Sequence, residues 1–391
     1  MNLFKTTTAI ALAFAASAAS AQTVKIGFIT SYSGLNGNLG PYMERAVRLY
    51  LKQHEKELGG VKVELITRDD TGPNPDKARQ LAQELVVRDK VNLLAGVIFT
   101  PNAMAMAPIA TEAKVPFVIM NAGTSVISTR SPYIVRTSFT LWQSSYPLGQ
   151  WASKKFKTAY TLVSDFGPGH DSEEAFVKGF TEGGGKVLGS VRVPLQNPDW
   201  AAYMQRVKDA KPDVLKVFIP AGKTATAVMK NFSDLGLDKA GIKLIGPGDI
   251  TTDEELPNMG DVALGVLTVH HYSAAATRPQ NKAFVDAWKK EYGAGETPNF
   301  VAVGAYDGAA LIVEAIKQQR GKLDPDKTME IFKQWKNPRS PRGPISIDPE
   351  TRDIVQNEYL REVRRVGGQL ANVELETVGT AVKDPWKQLK K

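Results

Sequence analysis

The chain of 391 residues contains no cysteine and only four histidines. The lack of cysteine excludes disulfides, thiolate-bound zinc, iron–sulfur clusters and thiol catalysis. Common catalytic motifs are missing as well, including G-x-S-x-G, H-E-x-x-H and a complete phosphate-binding loop. These absences favour a binding protein over an enzyme, and a secreted hydrolase is kept only as an alternative.

The charged residues form no block of one sign, although Lys and Arg exceed Asp and Glu by 49 to 41. Basic residues that are scattered among acidic ones do not predict a nucleic-acid partner. With 42% hydrophobic and 23% charged residues, the composition is that of a folded globular protein. No run of 18 apolar residues is present, so the sequence predicts no membrane-spanning helix. We expect a monomer that uses no cofactor and no metal.

Residues 1–21 have the three parts of a secretory signal peptide. Lys5 supplies a positive charge, residues 10–16 form a short apolar core, and Ala19-Ser20-Ala21 has the small side chains of a cleavage site. Cleavage is predicted after Ala21, and no cysteine follows that could carry a lipid. The mature protein is therefore expected to be exported to the periplasm and soluble there.

Short β-branched runs alternate with helical patterns along the mature chain. Two series of strands are predicted, first over 24–30, 61–67, 91–97 and 115–120, then over 159–165, 186–194, 213–219 and 242–248. Two long helical patterns and a β-hairpin that turns at Gly367-Gly368 come after them. Alternating strands and helices are typical of parallel sheets covered by helices on both faces. The sequence therefore predicts an α/β protein with two doubly wound parallel-sheet lobes and a cleft between them.

Two successive loops at predicted strand ends combine small residues with hydroxyl groups. Thr100 and Pro101 suit the N-cap and the first position of a helix, and residues 121–125 follow the next strand. The start of a helix presents free N–H groups and a partial positive charge, which attract an anion such as a carboxylate. Both loops leave the carboxyl edge of the sheet, where ligands bind in α/β folds. The sequence therefore predicts a carboxylate site at these two loops.

Aromatic residues are frequent near the predicted site, and the candidates are Tyr32, Phe99, Phe166, Tyr272 and Tyr306. They suit either packing in the core and hinge or stacking on a planar or apolar ligand. A carboxylate site combined with aromatic surfaces indicates an aromatic acid as the ligand, with aliphatic amino acids as the alternative.

The adjacent His270 and His271 could bind a metal or act as acid and base, but strand neighbours are expected to point to opposite faces.

Seven segments, taken in order along residues 24–380, carry a family resemblance. They are VKIGFITSYSG (24–34), LAGVIFTPNAMAMAPIA (94–110), VPFVIMNAG (115–123), IVRTSFT (134–140), LVSDFGPG (162–169), LIGPGD (244–249) and AYDGAALIVEAI (305–316). In these segments the chain resembles the branched-chain amino-acid-binding family of type I periplasmic solute-binding proteins, which serve ABC importers. The resemblance implies a cleft that closes on its ligand and a membrane permease that recognises the closed form. A receptor of the same fold that senses its ligand is an alternative function.

The resemblance also implies where the lobes and the ligand contacts lie. One lobe would comprise 22–141 and 275–350, and the other 142–274 and 351–391. In the first lobe, the family's ligand-binding positions match Thr100, Ala122 and Thr124, and Asn121 of the same loop is a further candidate. In the second lobe, Pro168 stands where relatives often have tyrosine, and Gly248 stands where an acidic residue commonly receives an α-ammonium group, with Asp249 next to it. This departure argues against an amino-acid ligand, because a buried ammonium group needs an acceptor.

Overall fold

The computed structural model of the protein describes residues 22–196 and 198–389, so the predicted signal peptide lies outside the described residues. The first sheet contains five parallel strands in the order β2-β1-β3-β4-β5. These strands are β1 (Thr23–Thr30), β2 (Lys62–Asp69), β3 (Leu93–Gly96), β4 (Phe117–Ile119) and β5 (Ile134–Arg136). The helices that follow the first three are α1 (Leu39–Gln53), α2 (Pro75–Val87) and α3 (Thr100–Glu112).

The first sheet is buried on both faces because successive side chains of its apolar strands point in opposite directions. Leu93 belongs to a hydrophobic cluster with residues of α1, whereas its neighbour Leu94 belongs to a second cluster with residues of α2 and α3. The first cluster also includes residues of α9 (Pro279–Tyr292), α10 (Phe300–Gln319) and α11 (Pro325–Gln334), and α10 packs against α1. The late helices therefore complete the lobe that the N-terminal half begins.

The second sheet contains five parallel strands and a C-terminal antiparallel extension. The parallel strands are β6 (Thr158–Ser164), β7 (Lys186–Val193), β8 (Val214–Phe218), β9 (Lys243–Pro247) and β10 (Leu267–His270). The antiparallel strands are β11 (Lys336–Asn337), β12 (Ile345–Ile347), β13 (Ile354–Val366) and β14 (Gln369–Val382). The remaining helices are α4 (Leu141–Ser153), α5 (Gly167–Glu182), α6 (Trp200–Ala210), α7 (Lys223–Asp234), α8 (Leu256–Met259) and α12 (Pro385–Gln388).

The predicted fold class is confirmed, because strands and helices alternate in both lobes and most strand pairs are parallel. The predicted hairpin is present as well, since Val366 of β13 pairs with Gln369 of β14 around Gly367-Gly368. Strand β12 lies within residues 275–350 and pairs with β13 of the second sheet. Among residues 22–196 and 198–389, no helix is both long and apolar enough to span a membrane.

A buried arginine joins segments from both lobes. Arg342 is 1% exposed, and its Nε lies 2.9 Å from Asp307 Oδ2 on α10. Its guanidinium donates to the carbonyl oxygens of Thr137 at 2.5 Å and Ser138 at 2.8 Å, which follow β5. It also donates to Gln356 Oε1 on β13 at 2.8 Å. One side chain therefore satisfies acceptors from three separate segments where the chain passes between the lobes.

Candidate functional site

A cavity lies in the cleft between the two lobes, where about 390 Å³ of space between protein atoms includes a part open to solvent. Clefts between domains are common places for small-molecule sites. The first lobe contributes Asn36, Leu39, Ile98, Phe99, Thr100, Asn121, Gly123, Phe139, Leu141 and Phe300. The second lobe contributes Phe166, Pro168, Phe218, Pro220, Ala221 and Asp249. Since both lobes line the cavity, a ligand held there contacts both at once.

Two long helices begin at this cavity, one from each lobe. Helix α3 begins at Thr100 and α5 begins at Gly167, and each has a proline in its first turn. The N–H groups of a first helical turn have no acceptor within their own helix, and the two dipoles place partial positive charge at these ends. A Cβ atom placed on Gly167 would lie 3.1 Å from Thr124 Oγ1. The two helix starts therefore lie on opposite sides of one narrow gap, where an anion is favoured.

Helix α5 begins in a glycine-rich segment whose local sequence resembles a turn. The glycine-rich segment at residues 167–169 resembles a turn, and the helical pattern is clear only from position 171. In the structure these residues form the first turn of α5, with Pro168 at a position where its missing N–H costs nothing. The helix thereby brings its N-terminus to the cleft.

Thr100 is the first residue of α3, and the preceding Phe99 occupies the N-cap position. The predicted capping role of Thr100 is therefore wrong, because its hydroxyl does not bond to the helix backbone. Instead its Oγ1 lies 2.9 Å from Thr124 Oγ1, and both threonines are 6% exposed. The two predicted residues are thus brought together as a hydroxyl pair beside the α3 N-terminus.

Ala122 lies beside the cavity wall, but its backbone groups bond within the lobe. Its N–H donates to Val97 O at 3.2 Å, and its carbonyl oxygen accepts from Arg136 Nη1 at 3.2 Å. The neighbours Asn121 and Gly123 line the cavity instead. The loop after β4 therefore faces the ligand space through Asn121 and Gly123, while Ala122 anchors the loop to the sheet.

Five phenylalanines line the cavity: Phe99, Phe139, Phe166, Phe218 and Phe300. Phe166 and Phe218 stack with ring centroids 6.1 Å apart, and Phe139 meets Phe300 edge to face at 5.7 Å. Sequence reasoning found Phe99 and Phe166 but missed the other three. Each of the missed residues adjoins a strand end or begins a helix, which is the same signal that identified Thr100. Aromatic surfaces of this kind suit the faces and edges of a planar ligand.

The three predicted tyrosines lie away from the cavity because their side chains pack or bond elsewhere. The hydroxyl of Tyr32 donates to Glu44 Oε2 on α1 at 2.5 Å. Tyr306 packs against Tyr50 and Phe284, and its hydroxyl donates to Gln53 Oε1 at 2.6 Å. The third, Tyr272, is completely buried, and its ring lies 6.5 Å from that of Phe284. These three side chains pack within the protein and are not among the residues that line the cavity.

The adjacent histidines are both buried, contrary to the expectation that one would point outward. Phe139 contacts both imidazole rings, at centroid distances of 5.2 Å to His270 and 5.3 Å to His271. Burial lowers the pKa of both rings well below the usual value, and the nearby Arg342 and Arg361 lower it further. Burial thus favours the neutral form of both rings, which pack against Phe139 of the cavity lining. In the described part of the chain, no group of His, Cys, Asp or Glu side chains could hold a metal ion.

Asp249 is the acidic residue of the cavity lining, and it is 7% exposed. Burial raises the pKa of its carboxyl group to about 7, although the positive charges of Arg361 and Lys216 act in the opposite direction. Its Oδ2 atom is buried and has no hydrogen-bond partner among the described residues. The second lobe thus presents a desolvated carboxyl group to the ligand space.

The two lobes approach each other closely at two places beside the cavity. The backbone N–H of Ser125 in the first lobe donates to Asp171 Oδ2 on α5 at 2.8 Å. Next to the lining residues Leu39 and Ala221, a Cβ atom placed on Gly222 would lie 3.5 Å from Asn38 Oδ1. These contacts describe a closed arrangement of the two lobes.

We expect Asp171→Ala to weaken ligand binding about 3- to 10-fold, because it removes one hydrogen bond that only the closed arrangement makes. Titration calorimetry of the variant would measure this loss. Asp165→Ala is a suitable control, since Asp165 lies on the same segment but bonds to His170 within its own lobe. Equal losses for both variants would contradict a role of Asp171 in closure.

Two α/β lobes with a cavity in the cleft between them, and helix N-termini from both lobes facing it, define a protein that holds a small solute in its cleft. The chain belongs to the periplasmic binding protein family, whose model matches residues 23–369. The predicted resemblance is thereby confirmed. Members of this family are solute-binding proteins, and the family implies a periplasmic location.

Several relatives cover almost the whole chain. A solute-binding protein of an ABC transporter from Rhodopseudomonas palustris BisB5, crystallised with 3,4-dihydroxybenzoic acid, is 52% identical, with a TM-score of 0.89 over 94% of this chain and 99% of that one. Another from R. palustris HaA2, crystallised with p-hydroxybenzoic acid, is 44% identical, with a TM-score of 0.90 over 94% and 100% of the two chains. The Leu/Ile/Val-binding protein homolog 6 of Brucella melitensis is 44% identical over 375 residues, which are 95% of each chain.

Proposed function

We propose that the protein captures an aromatic carboxylate in the periplasm and delivers it to the membrane subunits of an ABC importer. The observation that carries this proposal is the combination of two facing helix N-termini with a wall of phenylalanines around one cavity. The helix ends and the Thr100–Thr124 hydroxyl pair would hold the carboxylate, and the phenyl rings would pack on the aromatic body. The hydroxybenzoates bound by the R. palustris relatives support the same ligand class.

Ligand binding would drive closure because the carboxylate gains contacts with both lobes only when the cleft is shut. We propose that the lobes are 22–141 with 275–350 and 142–274 with 351–391, and that they pivot where the chain passes between them. The closed form would then be the one that the permease recognises. In this mechanism the protein is a monomer that binds and releases its ligand without chemical change.

A branched-chain amino acid is the second candidate ligand, supported by the name of the Brucella relatives. Thermal-shift measurements on the purified protein would compare benzoate and 4-hydroxybenzoate with leucine and valine. Bound ligand raises the unfolding temperature by mass action, so the aromatic acids should give the larger shifts. Larger shifts with leucine or valine would overturn the aromatic assignment, and consumption of ligand during incubation would overturn the assignment as a non-enzyme.

Cleavage of the predicted signal peptide after Ala21 can be measured directly. Expression of the full chain in a Gram-negative host, followed by fractionation and mass spectrometry, should yield a periplasmic protein that begins at Gln22. An uncleaved chain in the cytoplasmic fraction would contradict both the signal peptide and the proposed location.

We expect Thr100→Ala to weaken aromatic carboxylate binding by about 1–2 kcal/mol, roughly 5- to 30-fold, which is typical for loss of a hydrogen bond to a charged group. Calorimetric titration with benzoate would measure the change. Thr111→Ala serves as the control, because Thr111 lies at the far end of the same helix and its hydroxyl donates to Ala107 O. Unchanged affinity in Thr100→Ala would remove the anion site from the start of α3.

A further inference from the structure

The carboxyl group of Asp249 has a hydrogen-bonding capacity that the described residues leave unused. It lines the cavity, it is 7% exposed, and its Oδ2 atom has no partner. A buried polar atom without a partner is unfavourable by a few kcal/mol, so such atoms in ligand cavities are commonly satisfied by the ligand itself. The phenylalanines that surround the cavity offer no hydrogen-bonding groups.

The strand order places Asp249 far from the proposed carboxylate position. Gly167 follows β6 and approaches Thr124, whereas Asp249 follows β9. Strand β8 lies between β6 and β9 in the sheet. Because neighbouring strands are about 4.8 Å apart, two strand spacings separate the two positions by about 10 Å along the sheet edge. The two polar positions of the cavity lining are therefore two strands apart in the second sheet.

We propose that Asp249 recognises a hydroxyl group on the aromatic ring of the ligand, at the end opposite its carboxylate. This inference rests on the proposed function and adds to it a specificity-determining residue and a preferred ligand class, the para-hydroxylated aromatic acids. A phenolic hydroxyl both donates and accepts hydrogen bonds, so it can pair with Oδ2 in either protonation state of the carboxyl group. It also has no net charge that would need to be desolvated.

The same separation argues against an α-amino acid spanning these two groups. Its ammonium and carboxylate groups are bound to one carbon atom and so lie side by side, whereas the strand order separates the two polar positions by two strand spacings, or about 10 Å. The other unpartnered acceptor of the lining, among the described residues, is Asn121 Oδ1. Asn121 belongs to the same loop as Thr124, so its Oδ1 atom lies on the side of the cavity where the ligand's carboxylate is proposed to bind. Asp249 is therefore the group placed to recognise the far end of the ring.

The test is a binding matrix of protein variants against ring-substituted ligands, measured by titration calorimetry. The proteins are the wild type, Asp249→Leu, Asp249→Asn and the control Asp261→Asn. The ligands are benzoate, 2-hydroxybenzoate, 4-hydroxybenzoate and leucine. Asp261 lies between α8 and β10 in the same lobe, but its side chain is exposed and pairs with Arg365, so its substitution should leave every affinity unchanged.

We expect the wild type to bind 4-hydroxybenzoate about 10- to 100-fold more tightly than benzoate, because benzoate leaves Asp249 unpaired. The preference over 2-hydroxybenzoate should be similar, since an ortho hydroxyl lies beside the carboxylate. Asp249→Leu should abolish the preference while retaining benzoate binding, which also reports that the variant is folded. Asp249→Asn should keep part of the preference, because its amide can still pair with a hydroxyl.

The outcomes separate this inference from the proposed function. Equal affinities of the wild type for benzoate and 4-hydroxybenzoate would overturn the role of Asp249 and leave the aromatic carboxylate function intact. The same holds for a preference that survives unchanged in Asp249→Leu. Failure of both aromatic acids to bind the wild type would overturn the proposed function itself. Tight binding of leucine that is lost in Asp249→Leu would assign the carboxyl group to an ammonium instead.

Discussion

Gly167→Val should weaken binding of an aromatic carboxylate about 10- to 100-fold while leaving the unliganded protein folded. A Cβ atom at this position would lie 3.1 Å from Thr124 Oγ1 and 3.7 Å from Thr100 Cγ2, both in the opposite lobe. A branched side chain would add atoms beyond the Cβ position and hold the lobes apart, and overpacking of this kind commonly costs about 1–3 kcal/mol. In the open protein the same side chain would face solvent.

Calorimetric titration gives the affinity, and thermal unfolding without ligand gives the stability of the open form. Gly167→Ala should show a smaller loss, since the Thr124 side chain needs to move only slightly. Gly295→Val is the matched control, because a Cβ atom at Gly295 would have no neighbour within 4 Å. Full affinity in Gly167→Val would show that the ligand-bound lobes do not approach each other at this point.

Arg342→Met should lower the free energy of unfolding by about 3–5 kcal/mol, which is the cost typical of breaking a buried ion pair. The substitution leaves the carboxylate of Asp307 without its ion-pair partner. This carboxylate is completely buried, and its Oδ2 atom lies 2.9 Å from the Nε atom of Arg342. It also removes the donors to the carbonyl oxygens of Thr137 and Ser138. Denaturant unfolding followed by circular dichroism would measure the loss.

The exposed Arg339 provides the control for this prediction, and Arg339→Met should change stability by less than about 0.5 kcal/mol. A second comparison tests the cause. If the stranded charge of Asp307 is the main penalty, adding Asp307→Asn to Arg342→Met should cost less than Asp307→Asn does in the wild type. Additive losses would mean that the two side chains contribute to stability independently.

The alternation of strands and helices made the fold predictable from local sequence, since most of the parallel strands are short apolar runs between helical patterns. The same local rule located Thr100, because a strand end followed by a helix start is visible in the sequence. Applied equally to the ends of β5 and β8 and the start of α10, it would also have found Phe139, Phe218 and Phe300. Residue type alone does not separate these three phenylalanines from the tyrosines that pack away from the cavity.

Long-range partners account for the parts that local patterns do not reveal. Tyr306 resembles a candidate for ligand stacking until Gln53, distant in sequence, is seen to accept its hydroxyl hydrogen. The approach of Gly167 to Thr124 depends on how two separate sheets meet, and neither segment encodes that distance by itself. The acceptors of Arg342 come from three segments in the same way. Contacts between residues that are distant in sequence depend on the tertiary structure, so local sequence patterns do not predict them.

The close approach of Gly222 to Asn38 beside the cavity marks a position for attaching a fluorescent label. The next residue, Lys223, has an exposed side chain at the edge of one lobe, directly opposite the other. Because the chain contains no cysteine, Lys223→Cys would create a single thiol for attaching an environment-sensitive dye. The dye would pass from water to a protein-lined gap when the lobes meet, so its fluorescence would convert occupancy into an optical signal. The molecule is thus a natural scaffold for a reagent-free biosensor of its own solute.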